Sequence, residues 1–174
     1  MFVLKLLARL FKILRSGASP AQIAGGFCLG MIVGLTPIAS AHNLIILALL
    51  IVLKVNLSMA ILSVLIFSAV AYLFDPLFHA FGYWLLVDAA PLRGLWFFLT
   101  DQPLLALANL NNTVVLGSLA AALILFAPAF WLVVKGVRFY RATLGERMEK
   151  WKVVQAVKSS RLFSLYEKFK LWGE

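Results

Sequence analysis

The chain has 174 residues, 63% of them apolar and only 13% charged, with a mean hydropathy of +0.98. A soluble domain is about half apolar and about a quarter charged, and a core of this modest size cannot hide the excess. The composition excludes an ordinary soluble domain and predicts one all-α integral membrane domain, with the formal net charge of +9 gathered at its two ends.

Residues 1–16 contain Lys5, Arg9, Lys12 and Arg15 and no acid. Over Phe2–Arg15 these bases share one helical face, and Phe2, Val3, Leu6, Leu7, Leu10, Phe11 and Leu14 cover most of the rest. That pattern predicts an amphipathic helix lying in the membrane interface. A base every three or four residues, with no small-residue cleavage site behind a clean core, argues against a cleavable signal peptide. Ser16-Gly17-Ala18-Ser19-Pro20 ends this helix, and Ser19 is placed to cap the next one with Pro20 at its first position.

Residues 17–134 form the expected membrane domain, beginning with a helical hairpin over 20–53. Its arms are the apolar runs 20–38 and 44–53, separated by Ala39-Ser40-Ala41-His42-Asn43. A helix needs about 20 residues to cross the hydrocarbon core. The second arm is shorter than that, so a re-entrant hairpin is preferred to two short crossings. Either way the chain returns to its starting side at Lys54.

A full span is predicted over 57–74 and a second over 113–134, with Pro128 as a potential kink. Between them, 75–112 is broken by Asp75-Pro76, Gly82, Asp88, Pro91, Gly94 and Asp101-Gln102-Pro103. Its short aromatic pieces suit an interfacial segment on the outer side.

Residues 135–174 hold ten Lys or Arg and four Glu. They predict a basic cytoplasmic tail folded as an amphipathic helix, with Phe163, Tyr166, Phe169 and Trp172 forming an aromatic stripe. Basic flanks mark the cytoplasmic side of a membrane. Both termini therefore read as cytoplasmic, in a multi-pass protein of the bacterial inner membrane. The basic ends are explained by topology and anionic lipid, and no nucleic-acid partner is expected.

Within the hairpin, Gly26, Gly30 and Gly34 recur at i, i+4 and i+8 with Gly25 beside them. Small residues on one face let helices approach closely where lipid offers no hydrophobic drive. The face either packs on the chain's own helices or, with Pro37, forms a groove for a partner helix or a lipid chain.

Ser19-Pro20, Ile23-Ala24, Gly26-Phe27, Gly30, Gly34 and Pro37 match the spaced motif of a known bacterial family. The chain resembles the family catalogued as domain of unknown function 2062 over roughly residues 16–135. Asn56 and Asp75-Pro76 correspond to a lone Asn and an Asn-Pro pair in that family, so Asp75 is a departure. A further departure is Ala39 to Ala41, where another Gly is common. The resemblance implies an inner-membrane protein, sometimes fused to glycosyltransferase-like domains, and supplies no catalytic residue.

The candidate polar site at membrane depth comprises His42, Asn43, Asn56 and Asp75. An acid at a helix centre costs roughly 2.5–3.5 kcal/mol on insertion scales. Asp75 beside Pro76 is accordingly expected at a hydrated span end, and Asn56, His79 and Asp88 at other span ends. Two histidines make no metal site, the lone Cys28 makes no disulfide, and no nucleophile elbow, phosphate loop or zinc-protease helix occurs. No cofactor or catalytic residue is expected. A repeat pairing Gly25–Pro37 with Gly117–Pro128 is better explained by chance.

Two functions fit. One is a non-catalytic inner-membrane subunit of a cell-envelope complex, with lipids and a membrane-protein partner or a second copy around it. The other is a small transporter or flippase for an anionic amphiphile such as a polyprenyl phosphate or phospholipid. Ion conduction lacks a filter signature.

Overall fold

The computed structural model describes residues 2–101 and 108–144, which contain helices and no strand. The chain divides into two compact units, Met1–Lys135 and Gly136–Glu174. Of the tail expected over 135–174, residues 135–144 continue the last long helix and a π-helical turn, and the remainder, with the aromatic stripe, lies outside the described residues.

Helix α1 spans Phe2–Leu14. Arg9 and Lys12 are exposed on it and Ile13 is buried, as its amphipathic spacing requires. Helix α2, Pro20–Leu35, opens on a capping box. The Gln22 amide donates to Ser19 Oγ at 3.1 Å and the Ser19 amide to Gln22 Oε1 at 2.7 Å. Two of the first turn's open donors are thereby satisfied, with Pro20 at a position that needs none. From Ile23 to Leu35 every residue except Phe27 is buried. A helix apolar on all sides belongs at the centre of a bundle, and α2 occupies it.

Helix α3, Ala41–Val52, buries only His42, Asn43 and Leu50. Most of its surface is exposed and apolar, from Leu44 at 69% exposed to Ile51 at 82%. At 12 residues, α3 is about 18 Å long, and α2 is about 24 Å.

Helix α4 runs Leu57–Tyr83 and continues through a π-helical turn at Trp84–Asp88. The expected break at Asp75-Pro76 does not occur: both residues lie inside α4. A proline removes one backbone bond, to the residue four positions earlier, and a long helix with twenty-odd other bonds absorbs that loss. The segment between the two long helices therefore starts near Asp88 rather than at 75. It holds a short 3-10 turn, Ala90–Leu92, and helix α5, Arg93–Thr100. Trp96 Nε1 donates to the Leu85 carbonyl at 2.8 Å, folding α5 back on the end of α4. Asn109, ahead of the last long helix, takes a left-handed φ of 53°, a conformation asparagine tolerates.

Helix α6 spans Thr113–Phe139 and contains Pro128 without interruption. Asn112 Oδ1 caps it, accepting from the Val114 and Val115 amides at 2.9 and 3.2 Å. A π-helical turn, Tyr140–Leu144, follows.

The stretches Leu57–Asp88 and Thr113–Thr143 are long and apolar enough to cross a membrane. Only 22% and 28% of their most apolar windows are buried, so neither is the enclosed core helix of a soluble protein. The two helices fit membrane association of the chain.

Candidate functional site

The glycine face of α2 is filled by α4. A Cβ added at Gly26 would strike the Asn56 carbonyl, and one at Gly30 the Ala60 carbonyl. At Gly34 it would come within 2.8 Å of Phe67 Cβ and 2.9 Å of the Val64 carbonyl. Residue numbers rise together on both helices, so α2 and α4 run parallel with their backbones in direct contact. Ser63 Oγ donates to the Phe27 carbonyl at 2.7 Å across this seam, and the Phe27 and Phe67 rings meet edge-on at 5.4 Å. The groove considered for a partner or lipid at Gly26, Gly30 and Gly34 is thus occupied by the chain's own helix.

A second contact of this kind joins α4 to α6. A Cβ at Gly82 would meet the Thr113 carbonyl, and one at Gly117 the Phe78 carbonyl. Next to it, His79 Nδ1 and Thr113 Oγ1 share a hydrogen bond of 2.6 Å. Helix α6 then runs back toward α2, where the Phe126 carbonyl accepts the buried Cys28 thiol at 3.7 Å.

The hairpin α2–α3 closes at both ends. At its open end the Asn56 amide donates to the Gln22 carbonyl at 3.0 Å. The chain leaving α3 has therefore come back to the level at which α2 began. An open pocket of about 310 Å³ sits there, lined by Ala18, Gln22, Val55, Asn56, Leu57 and Ser58.

At the closed end, Thr36, Ser40, His42 and Asn43 are all buried. Asn43 ties the turn, donating from Nδ2 to the Pro37 carbonyl at 3.0 Å. Thr36 Oγ1 lies 2.8 Å from the Ile32 carbonyl and 3.1 Å from Asn43 Oδ1, and its single proton serves one of them at a time. His42 differs: both ring nitrogens are buried and neither has a hydrogen-bond partner.

The four polar candidates do not converge. His42 and Asn43 share the tip. Asn56 sits at the opposite end of the hairpin, where its Oδ1 caps α4 by accepting from the Met59 amide at 2.9 Å. Asp75 lies within α4, half-buried. Pro37 is exposed and contributes its carbonyl to the tip. The pairing of Gly82 with Gly117 escaped sequence reading: Gly82, expected as a break, lies inside α4, and nothing in the chain announces a pairing across so many residues. No group of three metal-ligating side chains occurs among the described residues.

An "Uncharacterized protein" of Treponema pallidum (strain Nichols) is 28% identical to this chain over 142 residues, covering 82% of this chain and 87% of its own length. No solved structure matches. The family described as "Uncharacterized protein conserved in bacteria (DUF2062)" matches residues 5–144. This match takes in the capping box, the hairpin, both long helices and the paired glycines, and the chain belongs to that bacterial family.

Proposed function

We propose that the protein is a non-catalytic, multi-pass protein of the bacterial cytoplasmic membrane that moves an amphiphile with an anionic head between leaflets. In this reading α2 and α3 form a re-entrant hairpin, α4 and α6 cross fully, and both termini are cytoplasmic. The observation that carries it is the hairpin: two short helices that return to one level and enclose a buried polar tip. Transporters build their sites at interrupted helices near mid-membrane, and a polar group at that depth is retained for a reason. The pocket between the first turns of α2 and α4 gives an anionic head a place to meet two helix N-termini at the cytoplasmic end.

The test is translocation of short-chain fluorescent phosphatidic acid in vesicles reconstituted with the purified chain. The reading expects faster loss of inner-leaflet probe than in protein-free vesicles. Equal rates would contradict it.

The second reading, a subunit of an envelope complex, draws on the exposed apolar surface of α3. With the glycine face filled by α4, that surface is one still open to a membrane partner or a second copy. A stoichiometric partner co-purifying in mild detergent, and lost on Ile45→Ser with Ile51→Ser, would support it over transport.

A further inference from the structure

The pocket of about 310 Å³ at the open end of the hairpin takes its polar lining from Gln22, Asn56 and Ser58. Both carboxamides already serve as caps. Gln22 Oε1 accepts from the Ser19 amide at 2.7 Å, and Asn56 Oδ1 accepts from the Met59 amide at 2.9 Å. An amide N–H needs an oxygen opposite it, so each cap fixes which way its carboxamide is turned. What Gln22 and Asn56 have left to offer a ligand is an NH2 group each, and such a group only donates. The caps thus convert two ambivalent side chains into a donor set, to which the Ser58 hydroxyl adds. The first-turn amides of Gln22 and Met59 are already bonded, so these donors are side chains and not helix-end backbone.

The surrounding charge has the matching sign. Lys54 is exposed and immediately precedes Val55 of the lining. Residues 1–74 contain Lys5, Arg9, Lys12, Arg15 and Lys54 and no acid. The first acid, Asp75, stands about 28 Å along α4 from Asn56 at the helical rise per residue. Donors in a basic setting suit a group that only accepts and carries negative charge, and phosphate has both properties. An apolar track leads away from the same place. Leu57, Ile61 and Leu65 recur at i, i+4 and i+8 on α4, each more than half exposed. Leu57 also lines the pocket, so pocket and track are continuous. A polar pocket joined to an apolar track fits a phospholipid better than free phosphate.

We infer that the pocket binds the phosphate of a phospholipid, with Gln22, Asn56 and Ser58 as donors and Lys54 as the neighbouring charge. Leu57, Ile61 and Leu65 then lie along one acyl chain. The inference deepens the lipid-handling reading, on which it rests for a lipid at this end of the hairpin, and it assigns the residues that hold the head.

The donors can be removed without removing the caps. Gln22→Glu keeps an oxygen for the capping box, and Asn56→Asp keeps one for the N-cap of α4. Each replaces an NH2 group with a charged acceptor. Asn112→Asp makes the same exchange at the cap of α6, beside the Gly82 contact and away from the pocket, and is the control. Ligand binding to the full chain is followed by native mass spectrometry from detergent micelles. Dioleoyl phosphatidic acid, dioleoylglycerol and inorganic phosphate are added separately.

The inference expects saturable binding of phosphatidic acid, with dioleoylglycerol and inorganic phosphate each binding more weakly. The double variant should lose about tenfold or more, the scale of a lost hydrogen bond to a charged group, and Asn112→Asp should match the parent. An unchanged thermal midpoint shows that the double variant is folded, and the two single variants carry the test if it is not. Undiminished binding by the folded variants, an equal loss in Asn112→Asp, or dioleoylglycerol binding as tightly as phosphatidic acid would overturn the inference. Inorganic phosphate binding as tightly would overturn it too, because the lipid would then contribute nothing. Saturable binding without translocation would retire the transport reading and keep the site, and translocation without such binding would do the reverse.

Discussion

Gly82 of α4 and Gly117 of α6 occupy one contact from opposite sides: a methyl on the first meets the Thr113 carbonyl, and a methyl on the second meets the Phe78 carbonyl. The two long apolar helices touch through their backbones here. Such an approach permits Cα–H to carbonyl contacts and close dispersion, which substitute for the hydrophobic drive that lipid does not provide.

Gly117→Ala should therefore destabilise the fold by about 1–3 kcal/mol, the range for overpacking a filled site. Thermal unfolding in detergent micelles reads this as a lowered midpoint. Gly17→Ala is the control, since Gly17 has open space around it, and it should stay within about 0.5 kcal/mol of the parent. Equal midpoints for both variants would mean that α4 and α6 are not in backbone contact.

The α2 glycines should rank by what they face. A Cβ added at Gly25 would come within 2.8 Å of Val55 Cγ1, a side-chain atom, whereas one at Gly30 would strike the Ala60 carbonyl. A side chain can turn aside and a helical backbone cannot, so Gly30→Ala should unfold at lower denaturant than Gly25→Ala. The reverse order would show that α2 does not rest on α4 in the register described.

Asn43 and Thr36 should act as a pair. Asn43→Ala leaves the Pro37 carbonyl without its side-chain donor, and the expected loss is about 1–3 kcal/mol. A double-mutant cycle with Thr36→Val should give a coupling of about 0.5–3 kcal/mol, because the two side chains are in contact at 3.1 Å. Additive losses would separate them.

Much of this arrangement is legible in the chain because its signals are local. Ser19, Pro20 and Gln22 lie within one turn, and Gly26, Gly30 and Gly34 lie on one face, so cap and packing stripe follow from spacing alone. Asp75-Pro76 misleads for the opposite reason: a break was inferred from residue type, and the tolerance of a long helix for one missing bond is not a local property. Gly82 and Gly117 pair through tertiary structure, which no short pattern encodes. His42 and Asn43 are conspicuous as polar residues in an apolar run, but only the fold separates the bonded Asn43 from the unbonded His42.

The central claim is that the hairpin enters and returns on the cytoplasmic side, and side-specific cysteine labelling tests it most directly. With Cys28→Ser as background, single cysteines are placed at Lys54, at Ile38 on the exposed turn of the tip, and at Asp101. Intact cells and inverted vesicles are then treated with a membrane-impermeant maleimide. The account predicts labelling of position 54 only in inverted vesicles, of position 101 only in intact cells, and of position 38 in neither. Labelling of position 38 in intact cells as readily as position 101 would make α2 and α3 full crossings and contradict it.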